Sequence, residues 1–433
     1  MKNIIDFLID DFHERMLPKP MPRRQSMTWV PRKANVVIGM RRSGKTWFCY
    51  QQMHELLDQG LEKERLLYLN FEDERLLPFS ARNFQLILDT YYRKFPDFKN
   101  KQCYLFFDEV QRIEGWDMFV RRLLDTEQLF ICVTGSSSKL LSTEIATSLR
   151  GRSLTYEIFP FSFKEFISYN KVNLKSDQRF GSETRAVLQN LMSQYIKTGG
   201  FPEVQTFDAE LRREVLRNYL DVVILRDVVE RYAISNTVAL RALIRHIINA
   251  PATRFSVNKF YNSLKSQGVA CTKNNLYSYM DHLTDAFLFY PVPIHARSKK
   301  VRRVNPKKVY VIDPGLLKAM PFNITDDRGA ILENLVFMHL RRQGLAPEYY
   351  VTKNGTEVDF VLFTKNKPGV RLIQVCWDIN DPVTQKREVR ALLSGMQELG
   401  LNRGTIVTWL DEDMPDERID IVPAWKWMLK SEN

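Results

Sequence analysis

The chain has little with which to hold a structural metal, staple a fold or span a membrane. Its five cysteines, Cys49, Cys103, Cys132, Cys271 and Cys376, stand far apart with no C-x-x-C spacing, which excludes a metal knuckle and reads as reduced, mostly buried thiols. No apolar run approaches the ~20 residues of a membrane helix, and there are no internal repeats or low-complexity tracts. The segment Ile5-Asp6-Phe7-Leu8-Ile9-Asp10-Asp11 carries acids where a secretory signal is apolar, so a cytoplasmic protein without a membrane partner is expected. Acidic residues are also in the minority, 51 against 63 basic ones, for a net charge of +12. That excess suggests an anionic partner, and its location matters more than its size. What is present is ample: 433 residues, 44% hydrophobic and 12% aromatic, give room for two to four domains with real cores.

Residues Gly39 to Thr46 read G-M-R-R-S-G-K-T, a complete phosphate-binding loop, behind the short apolar strand Asn35-Val36-Val37-Ile38. In such a loop backbone N–H groups wrap the phosphates, Gly39 and Gly44 let the backbone approach, Lys45 reaches the terminal phosphates and Thr46 offers a hydroxyl to Mg²⁺. A helix opening at Gly44 adds its positive end. The nucleotide contact is therefore expected from Gly39, Met40, Arg41, Arg42, Ser43, Gly44, Lys45, Thr46 and Trp47, with ATP and Mg²⁺ as the ligands.

The other half of an NTPase site is a buried strand ending in acid, and Cys103-Tyr104-Leu105-Phe106-Phe107-Asp108-Glu109 has that form. A continuous apolar run suits a central parallel strand, whose C-terminal end is where open α/β sheets bind ligands. Asp108 is the expected Mg²⁺ partner and Glu109 the general base, a pair that favours ATP hydrolysis. A further strand, Leu129 to Thr134, runs into Gly135-Ser136-Ser137-Ser138. Thr134 or Ser136 either senses the γ-phosphate or caps the next helix. In Leu149-Arg150-Gly151-Arg152, Arg150 and Arg152 are either surface ion-pair partners or fingers presented to phosphate by a closing domain or a self-associated neighbour, an effect that can be worth ~10³–10⁵ in rate.

Between Ala296 and Lys308 lie seven basic residues, Arg297, Lys299, Lys300, Arg302, Arg303, Lys307 and Lys308, and no acidic one. Ser256 caps a helix over Val257 to Lys265, Thr272 caps another over Lys273 to Leu283, and Gly268 sits in the turn. Ala286–Val292 and Lys308–Asp313 read as strands flanking the basic stretch. Helix, turn, helix and a two-stranded wing is the order of a winged helix. Lys273, Asn274, Asn275, Tyr277, Ser278 and His282 would then lie on the helix that enters a major groove, while Lys299, Lys300, Arg302 and Arg303 touch phosphates. The same order also suits a regulatory lid, and the same charge a solvated hairpin.

The ordered motifs G-M-R-R-S-G-K-T, Tyr68-Leu69-Asn70-Phe71-Glu72, Phe107-Asp108-Glu109-Val110-Gln111, Thr134-Gly135-Ser136-Ser137, Leu149-Arg150-Gly151-Arg152 and Gly199-Gly200-Phe201-Pro202 resemble the bacterial and archaeal AAA-like ATPases that carry a C-terminal endonuclease-like domain. The resemblance runs from about Met27 onward. It implies an α/β chain: a P-loop NTPase domain with a parallel sheet, a helical and winged-helix segment, and a terminal domain similar to the PD-(D/E)XK nucleases. Boundaries are expected near residue 30, after a helix and a Pro-rich basic linker, near 215, and at 326.

For the terminal domain that resemblance points to Glu333, Asp359, Gln374 and Cys376. The family pattern of the last strand is acid, any residue, Lys; here Gln374 and Cys376 stand at those places. A glutamine carbonyl can still ligate a hard cation, but a thiol of ordinary pKa cannot replace an ammonium. A degenerate site without nuclease activity is expected, in a domain able to bind DNA through phosphate contacts. Two functions remain open: an Mg²⁺-dependent ATPase acting on or near DNA, and an NTP-dependent switch, in a defence or toxin-like system, whose accessory domains bind protein.

Overall fold

In the computed structural model of the chain, residues 1–136, 149, 151–174, 180–320, 327–363, 369–412 and 416–430 are described. They gather into two compact units, 1–159 with 285–287, and 160–284 with 288–433.

The first unit is built on a five-stranded sheet. Its strands are β1 (Ala34–Ile38), β2 (Leu66–Asn70), β3 (Cys103–Asp108), β4 (Leu129–Gly135) and β5 (Ser153–Glu157), in the order β2-β3-β4-β1-β5, and every pairing is parallel. All residues of β1, β3 and β4 are buried, as their unbroken apolar runs require. The order places β4 between the strand that feeds the phosphate loop and the strand that ends in acid. The helix Lys45–Asp58 adds Phe48, Cys49 and Met53 to a core with Val37, Phe106 and Cys132. The N-terminal helix Lys2–Glu14 buries Ile5, Leu8, Ile9 and Phe12, the i, i+3, i+4, i+7 stripe of an amphipathic helix. The basic linker is anchored as well: Arg23 donates to the carbonyls of Ser43 (3.0 Å) and Phe159 (2.5 Å).

The second unit carries a three-stranded antiparallel sheet and a five-stranded mixed one. The first follows the helix Thr237–Asn249 and contains β6 (Arg254–Phe255), β7 (Phe289–Val292) and β8 (Lys307–Val311) in the order β6-β8-β7, with the helices Val257–Ser266 and Lys273–Asp285 between β6 and β7. Ser256 and Thr272 cap those two helices through the backbone N–H of Lys259 and Asn275.

Three details depart from the sequence reading. The expected strand from Ala286 begins only at Phe289. The other ends at Val311, because the Asp313 side chain accepts from Gly315 N–H and caps the helix Pro314–Ala319, which opens on a proline. The basic stretch is not a plain hairpin: Ser298 caps a short helix, Lys299–Val304.

The motif Gly199-Gly200 belongs to this packing. A Cβ on Gly199 would meet Asp313 Oδ1 at 1.9 Å and one on Gly200 would meet the Phe161 carbonyl at 2.3 Å, so both positions exclude larger residues.

The terminal sheet, β13-β12-β11-β10-β9, contains β9 (Glu348–Val351), β10 (Glu357–Phe363), β11 (Val370–Cys376), β12 (Gly404–Thr408) and β13 (Ile419–Pro423). β9, β10 and β11 pair antiparallel; β11, β12 and β13 pair parallel. The helices Arg328–Arg342 and Pro382–Leu399 pack on it.

Candidate nucleotide site and terminal acidic cluster

The loop leaves β1 at Gly39, where a Cβ would meet the Ile158 carbonyl at 2.2 Å, and ends at Gly44, whose φ of +101° opens the helix Lys45–Asp58. Glycine is needed at both places, one for space and the other for its left-handed backbone. Lys45 is folded back over the loop, with Nζ 3.2 Å from Gly39 O, 3.3 Å from Met40 O and 3.6 Å from Glu109 Oε1.

Asp108 is the hub. Its Oδ2 accepts from Thr46 at 2.7 Å and from the Tyr68 hydroxyl at 2.8 Å, and its Oδ1 accepts from Thr134. Burial first, and Glu109 second, raise the Asp108 carboxyl above its ordinary range, while the three hydroxyls pull it back. An ionised carboxylate this buried needs such donors, since desolvation alone costs about several kcal/mol. Thr134, on the strand between the two halves of the site, also accepts from Glu109 N–H at 3.0 Å. Glu109 itself has φ +52° and its carboxylate accepts from Gln111. A non-glycine residue in that region is strained and turns its side chain off the strand direction.

Arg41 pairs with Glu72 at 3.2 Å, and Arg112 pairs with the same oxygen at 2.7 Å. Trp47 is 49% exposed and lies edge-on to Tyr50. Ser136 is buried. Arg152 sits before β5, at the amino end of the sheet and ~16 Å of strand from the loop end, where it pairs with Asp125. Arg150 lies outside the described residues.

These residues fit a nucleoside triphosphate with Mg²⁺. The loop's Ser43 hydroxyl is buried without a hydrogen-bond partner among the described residues, and the hydroxyl–carboxylate pair of Thr46 and Asp108 is a donor set suited to a hard cation.

In the second unit, Lys273 lies over the Tyr261 ring at 5.4 Å, and Asn274, Asn275, Tyr277 and Ser278 are exposed. His282, grouped with them from the sequence, instead stacks on Tyr232 at 3.6 Å. Lys299, Lys300, Arg302 and Arg303 are exposed on their short helix, and Arg302 is paired with Glu348.

The four expected residues of the terminal site split into two groups. Glu333 and Asp359 converge, joined by Glu357, on Lys308 Nζ. Gln374 turns to the backbone and to another helix: its Oε1 accepts from Asp359 N–H at 3.2 Å and its Nε2 donates to Glu388 at 2.6 Å. Cys376 packs in the apolar core with Leu372 and Ile379, and burial pushes its thiol up to about 12.

Sequence reasoning missed Tyr68, Lys308, Tyr310 and Glu357. Tyr68 was hidden in an apolar strand. Lys308 belongs by sequence both to the basic run and to the start of a strand, where alternation with Tyr310 puts both on one face.

The strand, loop and acid-bearing strand define a P-loop nucleotide-binding domain of AAA type: residues 31–167 match the family model described as AAA domain. Residues 189–328 and 328–427 match two models described as domains of unknown function, DUF8612 and DUF4143. The chain is 37% identical over 437 residues to the uncharacterized protein MJ1544 of Methanocaldococcus jannaschii, covering 98% of this chain and 94% of that protein, and it belongs to the same family. An uncharacterized protein of Haemophilus influenzae is 33% identical over 347 residues, covering 79% of this chain and 82% of that one. Among solved structures, the Aeropyrum pernix ORC1 protein in complex with DNA is 11% identical, with 78% and 92% of the two chains covered and a TM-score of 0.30. DnaA of Aquifex aeolicus bound to AMPPCP is 13% identical, with 65% and 86% covered and a TM-score of 0.25. Among the described residues no helix is long and apolar enough to cross a membrane.

Proposed function

We propose that the protein is an Mg²⁺-dependent ATPase that couples its nucleotide cycle to a DNA-contacting winged helix and a nuclease-like domain without nuclease activity. The observation that carries this reading is the Thr46–Asp108 hydrogen bond of 2.7 Å, which joins the phosphate loop to the acid strand.

In this proposal Lys45 exchanges the Gly39 and Met40 carbonyls for the terminal phosphates. Thr46 and Asp108 would hold Mg²⁺, which when bound screens the phosphate charge. Released from Lys45, Glu109 accepts a proton from the attacking water. Thr134 fixes the Glu109 backbone and the Asp108 carboxylate together, a positioning role that ties the base to the metal side of the site. Arg152 is engaged with Asp125 far from its own loop, so a finger role for it would require a second copy of the chain.

The winged-helix reading is supported by the element order and by the third strand, β6, which pairs with β8. Lys299, Arg302, Arg303 and Lys307 line one hollow with Pro293, and chemistry of this kind suits the phosphates of DNA. The four-part division, with boundaries near residues 30, 215 and 325, goes with this reading. The test is steady-state ATP turnover with and without double-stranded DNA. Stimulation is expected; turnover indifferent to DNA, together with no DNA retention, would favour the alternative of a switch that binds protein.

A further inference from the structure

Lys308 is the member of the basic run 297–308 that turns inward. Its residue is 3% exposed, and its Nζ stands 2.7 Å from Glu333 Oε1, 2.6 Å from Glu357 Oε1 and 2.8 Å from Asp359 Oδ1. The three carboxylates come from two elements, the helix Arg328–Arg342 and β10, and the ammonium comes from β8 of the other sheet. Further donors reach the same carboxylates. Tyr310 donates to Glu333 at 2.6 Å, Val375 N–H donates to Asp359 Oδ2 at 2.9 Å, and Arg254 pairs with Glu357.

Carboxylate oxygens converging on one point are the ligands that hard divalent cations select. Here that point is held by nitrogen, at distances longer by roughly 0.6 Å than the ~2.1 Å of Mg²⁺–oxygen bonds. Burial, and then Asp359, push Glu333 up to about 8, while the Lys308 ammonium pulls it back. Burial works against the Lys308 charge, but Asp359 and Glu333 outweigh it and hold the ammonium well above its ordinary pKa.

We propose that the Lys308 ammonium is the built-in cation of this cluster: it fills the position a divalent metal would take, fastens β8 to the helix Arg328–Arg342 and to β10, and leaves the terminal sheet without a metal site. Removing the ammonium turns the same carboxylates into a divalent-cation site. The inference rests on these contacts alone and stands whether or not the domain is related to nucleases.

The experiment is a titration of the nucleotide-free full chain with Mn²⁺, with free Mn²⁺ followed by electron paramagnetic resonance. Wild type and Asp359→Asn should take up Mn²⁺ equally. Lys308→Met should gain one equivalent of Mn²⁺, bound at least tenfold more tightly than any wild-type uptake, and Lys308→Met with Asp359→Asn should lose it. Circular dichroism checks folding, and Lys308→Gln, which keeps a donor, serves as the second neutral variant. A folded neutral variant that gains no Mn²⁺ overturns the proposal. So does wild-type uptake that disappears in Asp359→Asn. If neither neutral variant folds, the comparison of wild type with Asp359→Asn decides alone: equal uptake supports the built-in cation, and a wild-type excess rejects it.

Discussion

Thr46 and Asp108, separated by 62 positions in the chain, share a hydrogen bond of 2.7 Å. It joins the first turn of the helix after the phosphate loop to the carboxyl end of β3, across the intervening strand β4. The same carboxylate takes the hydroxyls of Tyr68 and Thr134, so the two halves of the site are held together by one buried acid.

Thr134 touches both acids and should therefore matter out of proportion to its size. Thr134→Val keeps the shape but removes the donor to Asp108 and the acceptor for Glu109 N–H. Leaving such buried groups unsatisfied costs ~1–3 kcal/mol. ATP turnover should fall about 10- to 100-fold in kcat with a smaller change in KM. Steady-state kinetics check this; a variant with wild-type kcat would reduce Thr134 to a packing residue.

The exposed helix Lys299–Val304 should set the salt dependence of DNA binding. Neutralising Lys299, Lys300 and Arg303 together is expected to flatten the slope of log K against log salt by up to ~3, at ~0.9 per phosphate contact. Arg302→Gln alone should change it least, because Glu348 already holds that guanidinium. Fluorescence anisotropy at several salt concentrations measures both, and an unchanged slope in the triple variant would remove this helix from the DNA interface.

Purified protein with Mg²⁺ or Mn²⁺ should not cut linear, nicked or branched DNA. Gln374 is committed to Asp359 N–H and Glu388, Cys376 is buried with its thiol pushed up to about 12, and Lys308 occupies the carboxylate cluster. Metal-dependent cleavage that is lost in Asp359→Ala would contradict this.

His339 makes the second unit sensitive to acid. Burial, aided by Arg342 and Lys164, pushes its pKa down to about 3 from an ordinary 6.5. Between those values the unfolded chain binds a proton that the folded chain refuses. Its contribution to stability is thus full above pH 6.5 and is lost as pH falls toward 3, by at most ~1.4 kcal/mol per pH unit. His339→Gln should remove that part of the slope, seen by subtracting denaturant unfolding curves of the variant from those of wild type between pH 6.5 and 4.5. Parallel curves would show that the imidazole does not titrate against folding.

Much of the first unit was legible because its signals are local. The apolar runs Val36–Ile38 and Tyr104–Phe107 could only be buried strands, and the spacing of Gly39, Gly44, Lys45 and Thr46 is mechanical. The helix caps at Ser256 and Thr272 and the acid-bearing strand at Asp359 were legible for the same reason. What stayed hidden depends on long-range pairing. Nothing near Tyr68 announces that its hydroxyl reaches Asp108, 40 positions away. Nothing near Lys308 distinguishes it from the exposed Lys307 beside it, because the three carboxylates that bury it lie 25 to 51 positions downstream. A dense run of like charge reads as a solvated hairpin, which hides the helix Lys299–Val304.

The most direct test of the central claim is a paired measurement of ATP binding and single-turnover hydrolysis in Lys45→Ala and Glu109→Gln. In the proposed function Lys45 neutralises the terminal phosphates and Glu109 polarises water. Lys45→Ala should lose tight ATP binding. Glu109→Gln should bind ATP like wild type and hydrolyse it at least ~10²-fold more slowly. Hydrolysis at the wild-type rate by Glu109→Gln would contradict the assignment of the base, and undiminished ATP binding by Lys45→Ala would contradict the site itself.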